Sequence, residues 1–241
     1  MKKVLLIDSG SGGVNVLAEC IKEAPYFDFL LFCDNNNIPY GNKTMEQIFE
    51  ITQKNIKDIY QFFKFDIVVF ACNTLTAMVI EKCRKMFPKI MFIGTEPAVK
   101  TALKKYKQQE ILLLATAGTI RHSKLLQLYP KIHKKVLKTL AHEIDHNLDV
   151  LENVNQLLNV ELAGRTERAI VLGCTHYLAV KEQIQTILPN VEIFSGENGV
   201  ARRLKTFADE SRANYQVQIM TSKMGDFRAK LLYYFNKKSE E

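Results

Sequence analysis

Short apolar runs alternate along this chain with longer stretches in which apolar residues recur every three or four positions. The short runs predict buried strands, and the longer stretches predict amphipathic helices. The predicted strands cover residues 3–7, 29–33, 67–71, 90–94, 111–115, 135–140, 169–173 and 191–194, and examples of the predicted helices are 14–23, 45–63, 98–106 and 150–158. Strands that alternate with helices are typical of the α/β class, so we predict mainly parallel sheets flanked by helices.

The predicted strands form two sets of four that resemble each other. In the first set, the opening strand runs to Asp8 and a later strand ends at Cys72. In the second set, the opening strand runs to Thr116 and a later strand ends at Cys174. We therefore predict two similar halves, residues 1–97 and 98–206, and a helical tail at 207–241. Ligands of open parallel sheets bind beyond the carboxyl ends of the strands, so facing halves would bring both cysteines to one cleft.

Composition and charge fit a globular protein and disfavour nucleic-acid binding. The chain has 241 residues, of which 47% are hydrophobic and 24% charged, enough to bury a proper core. The net charge is +7, but the lysines are scattered and no basic run is interleaved with aromatic residues. This pattern favours a solvated surface, so we expect no specific nucleic-acid partner.

The cysteine content and the apolar runs indicate a protein of the cytoplasm. The five cysteines form no CxxC pair, which favours free thiols in a reducing compartment. Asp8 interrupts the first apolar run before it reaches the length of a signal peptide. No stretch approaches the roughly 20 apolar residues that a membrane span needs, so no membrane association is expected.

Two of the cysteines stand out from the others. Cys72 and Cys174 each follow a predicted strand and precede residues that can form hydrogen bonds. Cys20 and Cys83 lie in helix-like stretches, where a cysteine acts as a small apolar residue, and Cys33 has no counterpart in the second half. A thiol just before a helix N-terminus lies in a positive field that favours the thiolate. Two such thiols, one on each side of a substrate, would supply the acid and the base needed to invert a stereocentre.

The residues near these thiols leave several interpretations open. Asp8 is either a capping residue for the next helix or a group that tunes Cys72. His176 is either a loop histidine held by hydrogen bonds or an acid-base group, and a Cys-His hydrolase fits less well because such pairs usually come from distant segments. The loop Ser9–Gly13 is either a tight turn or an anion cradle, and it matches no nucleotide motif. No second ligand cluster indicates a metal site, so we expect none.

These motifs together resemble the signatures of the glutamate racemases, which belong to the cofactor-independent aspartate/glutamate racemase superfamily. The matching segments are Asp8-Ser9-Gly10-Ser11-Gly12-Gly13, Pro39-Tyr40-Gly41, Ala71-Cys72-Asn73-Thr74 and Gly173-Cys174-Thr175-His176-Tyr177. The resemblance extends from Val4 to about Arg203, although residues 140–149 match the family pattern poorly. It implies two α/β domains that face each other across the active site, and a tail that returns to the first. It also implies the absence of a cofactor, a homodimer, and supply of D-glutamate for peptidoglycan.

The resemblance assigns roles to individual residues. Cys72 and Cys174 correspond to the catalytic pair, acting on D-glutamate and L-glutamate respectively, with Asp8 and His176 assisting them. The substrate-site positions are Asp8, Ser9, Pro39, Tyr40, Gly41, Cys72, Asn73, Thr74, Thr116, Thr119, Cys174, Thr175 and His176. Two alternatives stay open: a racemase of aspartate or another small acid, and a catalytically inactive relative that only binds such a ligand.

Overall fold

The computed structural model describes residues 2–146, 151–211 and 214–222, which form two parallel sheets with helices packed against them. The first sheet has the strand order β4-β3-β1-β2-β9, with β1 Lys3–Asp8, β2 Asp28–Cys33, β3 Ile67–Phe70, β4 Met91–Gly94 and β9 Val217–Thr221. The second has the order β6-β5-β7-β8, with β5 Ile111–Ala115, β6 His133–Val136, β7 Ala169–Gly173 and β8 Glu192–Phe194. Every described strand pair is parallel, which confirms the predicted fold class.

The described helices are α1 Gly13–Glu23, α2 Met45–Phe62, α3 Asn73–Met86, α4 Val99–Ala102, α5 Ala117–His122, α6 Lys124–Gln127, α7 Leu140–His146, α8 Leu151–Leu162, α9 Lys181–Ile187 and α10 Glu197–Lys205. Helices α1 and α2 begin and end within one residue of the predicted positions, and α8 ends four residues later than predicted. Helix α2 begins after a capping box, in which the Thr44 hydroxyl accepts from the Gln47 N–H and the Gln47 side chain accepts from the Thr44 N–H. Helix α4 is a single turn, much shorter than the predicted 98–106.

The central strands of both sheets, β1, β5 and β7, are buried, apart from Lys3 at the start of β1, and the core continues from one half into the other. Val4 and Leu6 on β1 belong to the same apolar cluster as Leu112 on β5 and Leu204 on α10. Helix α10 packs on α1, so an element of residues 98–206 contacts the first half directly. This shared core fixes the edges of the two sheets relative to each other.

Two predictions about strands and the tail need correction. The strand predicted at 135–140 lies instead at His133–Val136, and Leu140 begins α7. Residues 207–241 were predicted as a helical tail, but the described part contains β9, which pairs with β2 at the edge of the first sheet. The rest of that tail, residues 223–241, lies outside the described residues. Among the described residues, no helix is both long and apolar enough to cross a bilayer.

Candidate active site

The two thiols lie at the carboxyl ends of corresponding strands. Cys72 follows β3 and is the residue immediately before α3, and Cys174 follows β7. The loop after β1 packs directly against the loop after β7: a Cβ on Gly10 would lie 2.8 Å from His176 Nε2, and one on Gly12 would lie 2.7 Å from Thr175 Oγ1. Only glycine permits this close approach, which joins the reactive loops of the two halves.

Cys72 lies in a buried environment that keeps its thiol protonated. Its Sγ atom is 3.7 Å from Ser9 Oγ, and 6% of the residue is exposed. Burial, followed by the negative charge of Asp8, raises the pKa of Cys72 to about 12, although the N–H of Leu75 in α3 opposes this shift. A negative charge on Cys174 raises this pKa further, so the two sulfurs are electrostatically coupled.

Cys174 has a different neighbour, a buried histidine. Its Sγ atom is 3.8 Å from His176 Nδ1, and His176 Nε2 is 3.4 Å from Asp145 Oδ1. Among the described residues, none makes a well-aligned hydrogen bond with Nε2, so its contact with Asp145 is an ion pair. Burial alone would lower the pKa of His176, but its contacts with Asp145 and Cys174 outweigh burial and raise this pKa well above the ordinary value. A protonated His176 places positive charge beside Cys174.

Asp8 connects the two halves within the site. Its Oδ1 atom accepts from the Gly10 N–H at 2.9 Å, and its Oδ2 atom accepts from the Thr175 hydroxyl at 3.0 Å. Burial raises the pKa of Asp8, while the charge of His176 and both hydrogen bonds oppose this shift. Helix α1 has Gly12 at its cap and no side-chain cap, so the interpretation of Asp8 as a helix-capping residue is wrong.

Three threonine hydroxyls form a cluster between the halves. Thr74 Oγ1 on α3 lies 2.7 Å from Thr116 Oγ1 and 3.2 Å from Thr119 Oγ1, and the latter two are 3.0 Å apart. Thr116 also caps α5, because its hydroxyl accepts from the Thr119 N–H. A Cβ on Gly41 would lie 3.4 Å from Thr116 Cβ, so the loop that carries Pro39 and Gly41 contacts this cluster.

Other predicted site residues use their side chains to hold the loops. The Tyr40 hydroxyl is buried and donates to Asp34 Oδ2 at 2.7 Å; burial and then the charge of Asp34 raise the pKa of this phenol well above its usual value. The Asn73 amide donates to the Thr95 carbonyl at 3.2 Å. These side chains therefore hold the surrounding loops in place and do not point into the space between the thiols. The backbone of residues 39–41 lies against α5.

The sequence analysis missed two buried acids of this region. Asp34, at the end of β2, also accepts from the amides of Asn37 and Asn55. Asp145 on α7 accepts from the Ser11 N–H and hydroxyl in addition to its ion pair with His176. Asp34 directly follows a predicted strand, as Asp8 ends one, and this signal could have found it. Among the described residues, no group of three or more histidine, cysteine, aspartate or glutamate side chains is arranged to hold a metal ion.

Comparison with known proteins decides the family. No family model matches the chain. The glutamate racemase of Clostridium acetobutylicum is 32% identical over 214 residues, which cover 85% of this chain and 83% of that protein. The chain belongs to the glutamate racemase family. The resemblance seen in the motifs is thereby confirmed, and the protein is a cofactor-independent racemase, an isomerase.

Solved glutamate racemases share the fold. An isoform from Bacillus anthracis has a TM-score of 0.83 at 24% identity, over 100% of this chain and 94% of that chain. The Escherichia coli racemase, in complex with L-glutamate and the activator UDP-MurNAc-Ala, has a TM-score of 0.80 at 23% identity, over 98% and 95% of the two chains. The two-sheet architecture described above is therefore that of this family.

Proposed function

We propose that this racemase interconverts L- and D-glutamate, with Cys72 and Cys174 as its two acid-base groups and without a metal or organic cofactor. The observation that carries this proposal is the placement of both thiols at the ends of corresponding strands, β3 and β7. The loop after β1 connects them, because its Ser9 contacts Cys72 and its glycines pack against the loop after β7. The family to which the chain belongs supports glutamate as the substrate, in preference to aspartate or another small acid.

In the L-to-D direction, Cys174 acts as the base and Cys72 as the acid. The Cα–H bond of L-glutamate breaks as the Cys174 sulfur takes the proton, and the Cys72 S–H bond breaks as its proton is delivered to the opposite face of Cα. A thiol with a pKa of about 12 holds its proton at neutral pH, which suits Cys72 as the donor. The positive charge on His176, 3.8 Å from Cys174 Sγ, stabilises negative charge on the sulfur that must act as the base.

In the D-to-L direction, Cys72 must first lose its proton. Asp8 is the carboxylate whose charge acts most strongly on Cys72, and its raised pKa makes it a suitable group to receive that proton. The two directions of the reaction therefore start from different protonation states of Cys72. Proton transfer by such positioned groups typically accelerates a reaction by about 10²–10⁴-fold.

The substrate is held by neutral donors around the thiols. We assign binding by hydroxyl donors to Ser9, Thr74, Thr116, Thr119 and Thr175. We place Pro39, Tyr40, Gly41 and Asn73 in the wall of the site, because the Tyr40 and Asn73 side chains already donate to Asp34 and Thr95. Hydroxyl and backbone N–H groups can stabilise the charge that develops on the α-carboxylate as the proton leaves. The threonine cluster joins the halves by hydrogen bonds that a ligand carboxylate can replace, so binding between α3 and α5 requires these hydroxyls to turn toward the ligand.

The decisive experiment is polarimetry of the purified protein with L-glutamate and, separately, L-aspartate, without added cofactor and after dialysis against a chelator. Optical rotation of glutamate should decay to zero, and deuterium from D₂O should enter Cα. Rapid turnover of aspartate with none of glutamate would refute the assignment. Tight binding of glutamate without exchange at Cα would instead indicate an inactive binding protein.

We also propose that the D-glutamate made by this protein is used for peptidoglycan, and that the protein acts in the cytoplasm as a homodimer. The E. coli relative binds an activator that contains N-acetylmuramic acid, a peptidoglycan sugar, which supports the first point. We further propose that the halves comprise residues 1–97 and 98–206 and that 207–241 returns to the first; pairing of β9 with β2 supports the last point. External D-glutamate should restore the growth of cells depleted of the protein. Light scattering of the purified protein should give twice the mass of one chain.

A further inference from the structure

The loop after β2 contains a half-buried amide that contacts both a catalytic neighbour and the C-terminal strand. Asn35 Nδ2 donates to Asp145 Oδ2 at 3.4 Å, and Asn35 Oδ1 accepts from the Thr221 hydroxyl at 2.9 Å. Because an ionised carboxylate can only accept, the nitrogen of the amide must point toward Asp145 and its oxygen toward Thr221. Asn35 thus joins the end of β9 to the carboxylate that pairs with His176.

At least three separate loops contact Asp145. Ser11, after β1, and His176, after β7, both contact its Oδ1 atom, whereas Asn35 contacts Oδ2. The Asn35 contact therefore helps to set the rotation of the carboxyl group, and this rotation sets how Oδ1 meets His176 Nε2. Only 1% of Asp145 is exposed, so water offers it little alternative.

We propose that Asn35 is a positioning residue for proton transfer at Cys174: it orients Asp145 against His176 and, through Thr221, makes that orientation depend on strand β9. This proposal rests on the proposed function, in which His176 serves Cys174. It predicts an effect concentrated on one face of the substrate, since Cys72 lies beside Ser9 and Asp8 and no described contact joins it to Asn35, Asp145 or His176.

Racemisation rates alone cannot show whether a loss of activity arises at Cys174 or at Cys72. Two enantiomers have equal free energies, so any variant must change kcat/KM by the same factor in both directions. A glutamate that carries a leaving group on Cβ avoids this constraint: one base removes the Cα proton, the leaving group departs with its electron pair, and the resulting enamine hydrolyses to an oxo acid and ammonia. Each enantiomer then reports on a single thiol.

The test compares Asn35→Ala with Asn36→Ala. Asn36 is a matched control, because it lies in the same loop and bonds Ser222 next to β9, but has no described contact with Asp145. Elimination from the L-enantiomer, which faces Cys174, should fall about three- to tenfold in Asn35→Ala, with the D-enantiomer nearly unchanged. This is the effect of losing one hydrogen bond of ordinary net strength, because the contact with Asp145 is long, 3.4 Å. Asn36→Ala should leave the ratio of the two rates as in the unmodified protein.

A second variant keeps the proposal testable if Asn35→Ala does not fold. Thr221→Val leaves Asn35 in place but removes the hydroxyl that fixes its oxygen, so it should lower the L-enantiomer rate in the same sense and by less. Equal losses for both enantiomers, no loss in either variant, or the same selective loss in Asn36→Ala would overturn the proposal. If the unmodified protein eliminates from neither enantiomer, the proposed function fails and this inference fails with it; normal elimination with an unaffected Asn35→Ala refutes this inference alone.

Discussion

Replacement of His176 by Asn should destabilise the protein in a way that depends on pH. His176 is buried with its Nε2 atom 3.4 Å from Asp145 Oδ1, and in the Asn variant that carboxylate loses its cationic partner. Two unit charges at this separation attract each other by about 5 kcal/mol at an effective dielectric constant near 20, before the cost of burying the imidazolium is subtracted. Breaking a buried pair typically costs about 3–5 kcal/mol, and we expect the lower end because the contact is poorly aligned.

The sign of the pH dependence follows from the raised pKa of His176. Its contacts favour the protonated form in the folded state, so the folded protein holds a proton that the unfolded chain releases above about pH 6.5. The stabilisation is therefore complete below that pH and declines as the pH rises toward the folded-state pKa, by about 1.4 kcal/mol per pH unit. The difference in unfolding free energy between the unmodified protein and His176→Asn should be greatest near pH 6 and should shrink at pH 7, 8 and 9.

Urea unfolding under reducing conditions at these pH values measures the difference directly. Any loss of packing caused by the smaller Asn side chain is independent of pH, so the slope isolates the charge effect. A double-mutant cycle with Asp145→Asn should give a coupling energy that declines over the same interval. A difference that stays constant from pH 6 to 9, or that grows with pH, would refute the reasoning.

Further predictions concern the thiols and the loops that surround them. Cys72→Ser and Cys174→Ser should each lose racemisation, yet each should still eliminate a Cβ leaving group from one enantiomer, and chromatography of the remaining substrate should show opposite preferences; a shared preference would contradict the two-thiol mechanism. Tyr40→Phe leaves Asp34 without its 2.7 Å donor and should lower the urea unfolding free energy by about 1–3 kcal/mol, whereas no loss would show that the bond is dispensable. Thr74→Val should raise KM for glutamate more than it lowers kcat in steady-state kinetics, and an unchanged KM would argue against substrate contact.

The strands buried on both faces were predicted well, and so were the short edge strands β4 and β8, whereas two other edge strands, β6 and β9, were misplaced or missed. β5, β7 and the segment Val4–Ile7 of β1 are continuous apolar runs, because a central strand in a parallel sheet is covered by helices on each side. β6 and β9 are edge strands with exposed positions, so their sequences contain lysine or glutamine where an apolar run was sought. Polar residues at an edge protect it from pairing with other chains, and they also hide the strand from a search for apolar runs.

The candidate site was predictable where its residues belong to local motifs. Cys72 and Cys174 were found because each ends an apolar run and has a counterpart in the other half. Asp145 and Asn35 have no such signal: Asp145 lies within a helix, in the segment that matches the family pattern poorly, and Asn35 is one of three consecutive asparagines. Their importance comes from contacts across 110 residues of sequence, which no local pattern contains.

The unequal surroundings of the two thiols are compatible with a reaction whose equilibrium is symmetric. Cys72 lies beside Ser9 and the negative charge of Asp8, whereas Cys174 lies beside a protonated His176. Because the enantiomers have equal free energies, these differences cannot change the equilibrium constant. They determine only which protonation state of the free protein binds each enantiomer. Under the proposed two-thiol mechanism, a protein that rests with a proton on Cys72 and positive charge beside Cys174 is prepared for L-glutamate, and it must move a proton before it can accept D-glutamate. A lower kcat for D-glutamate, matched by a lower KM so that kcat/KM stays equal, is the kinetic form that this asymmetry should take.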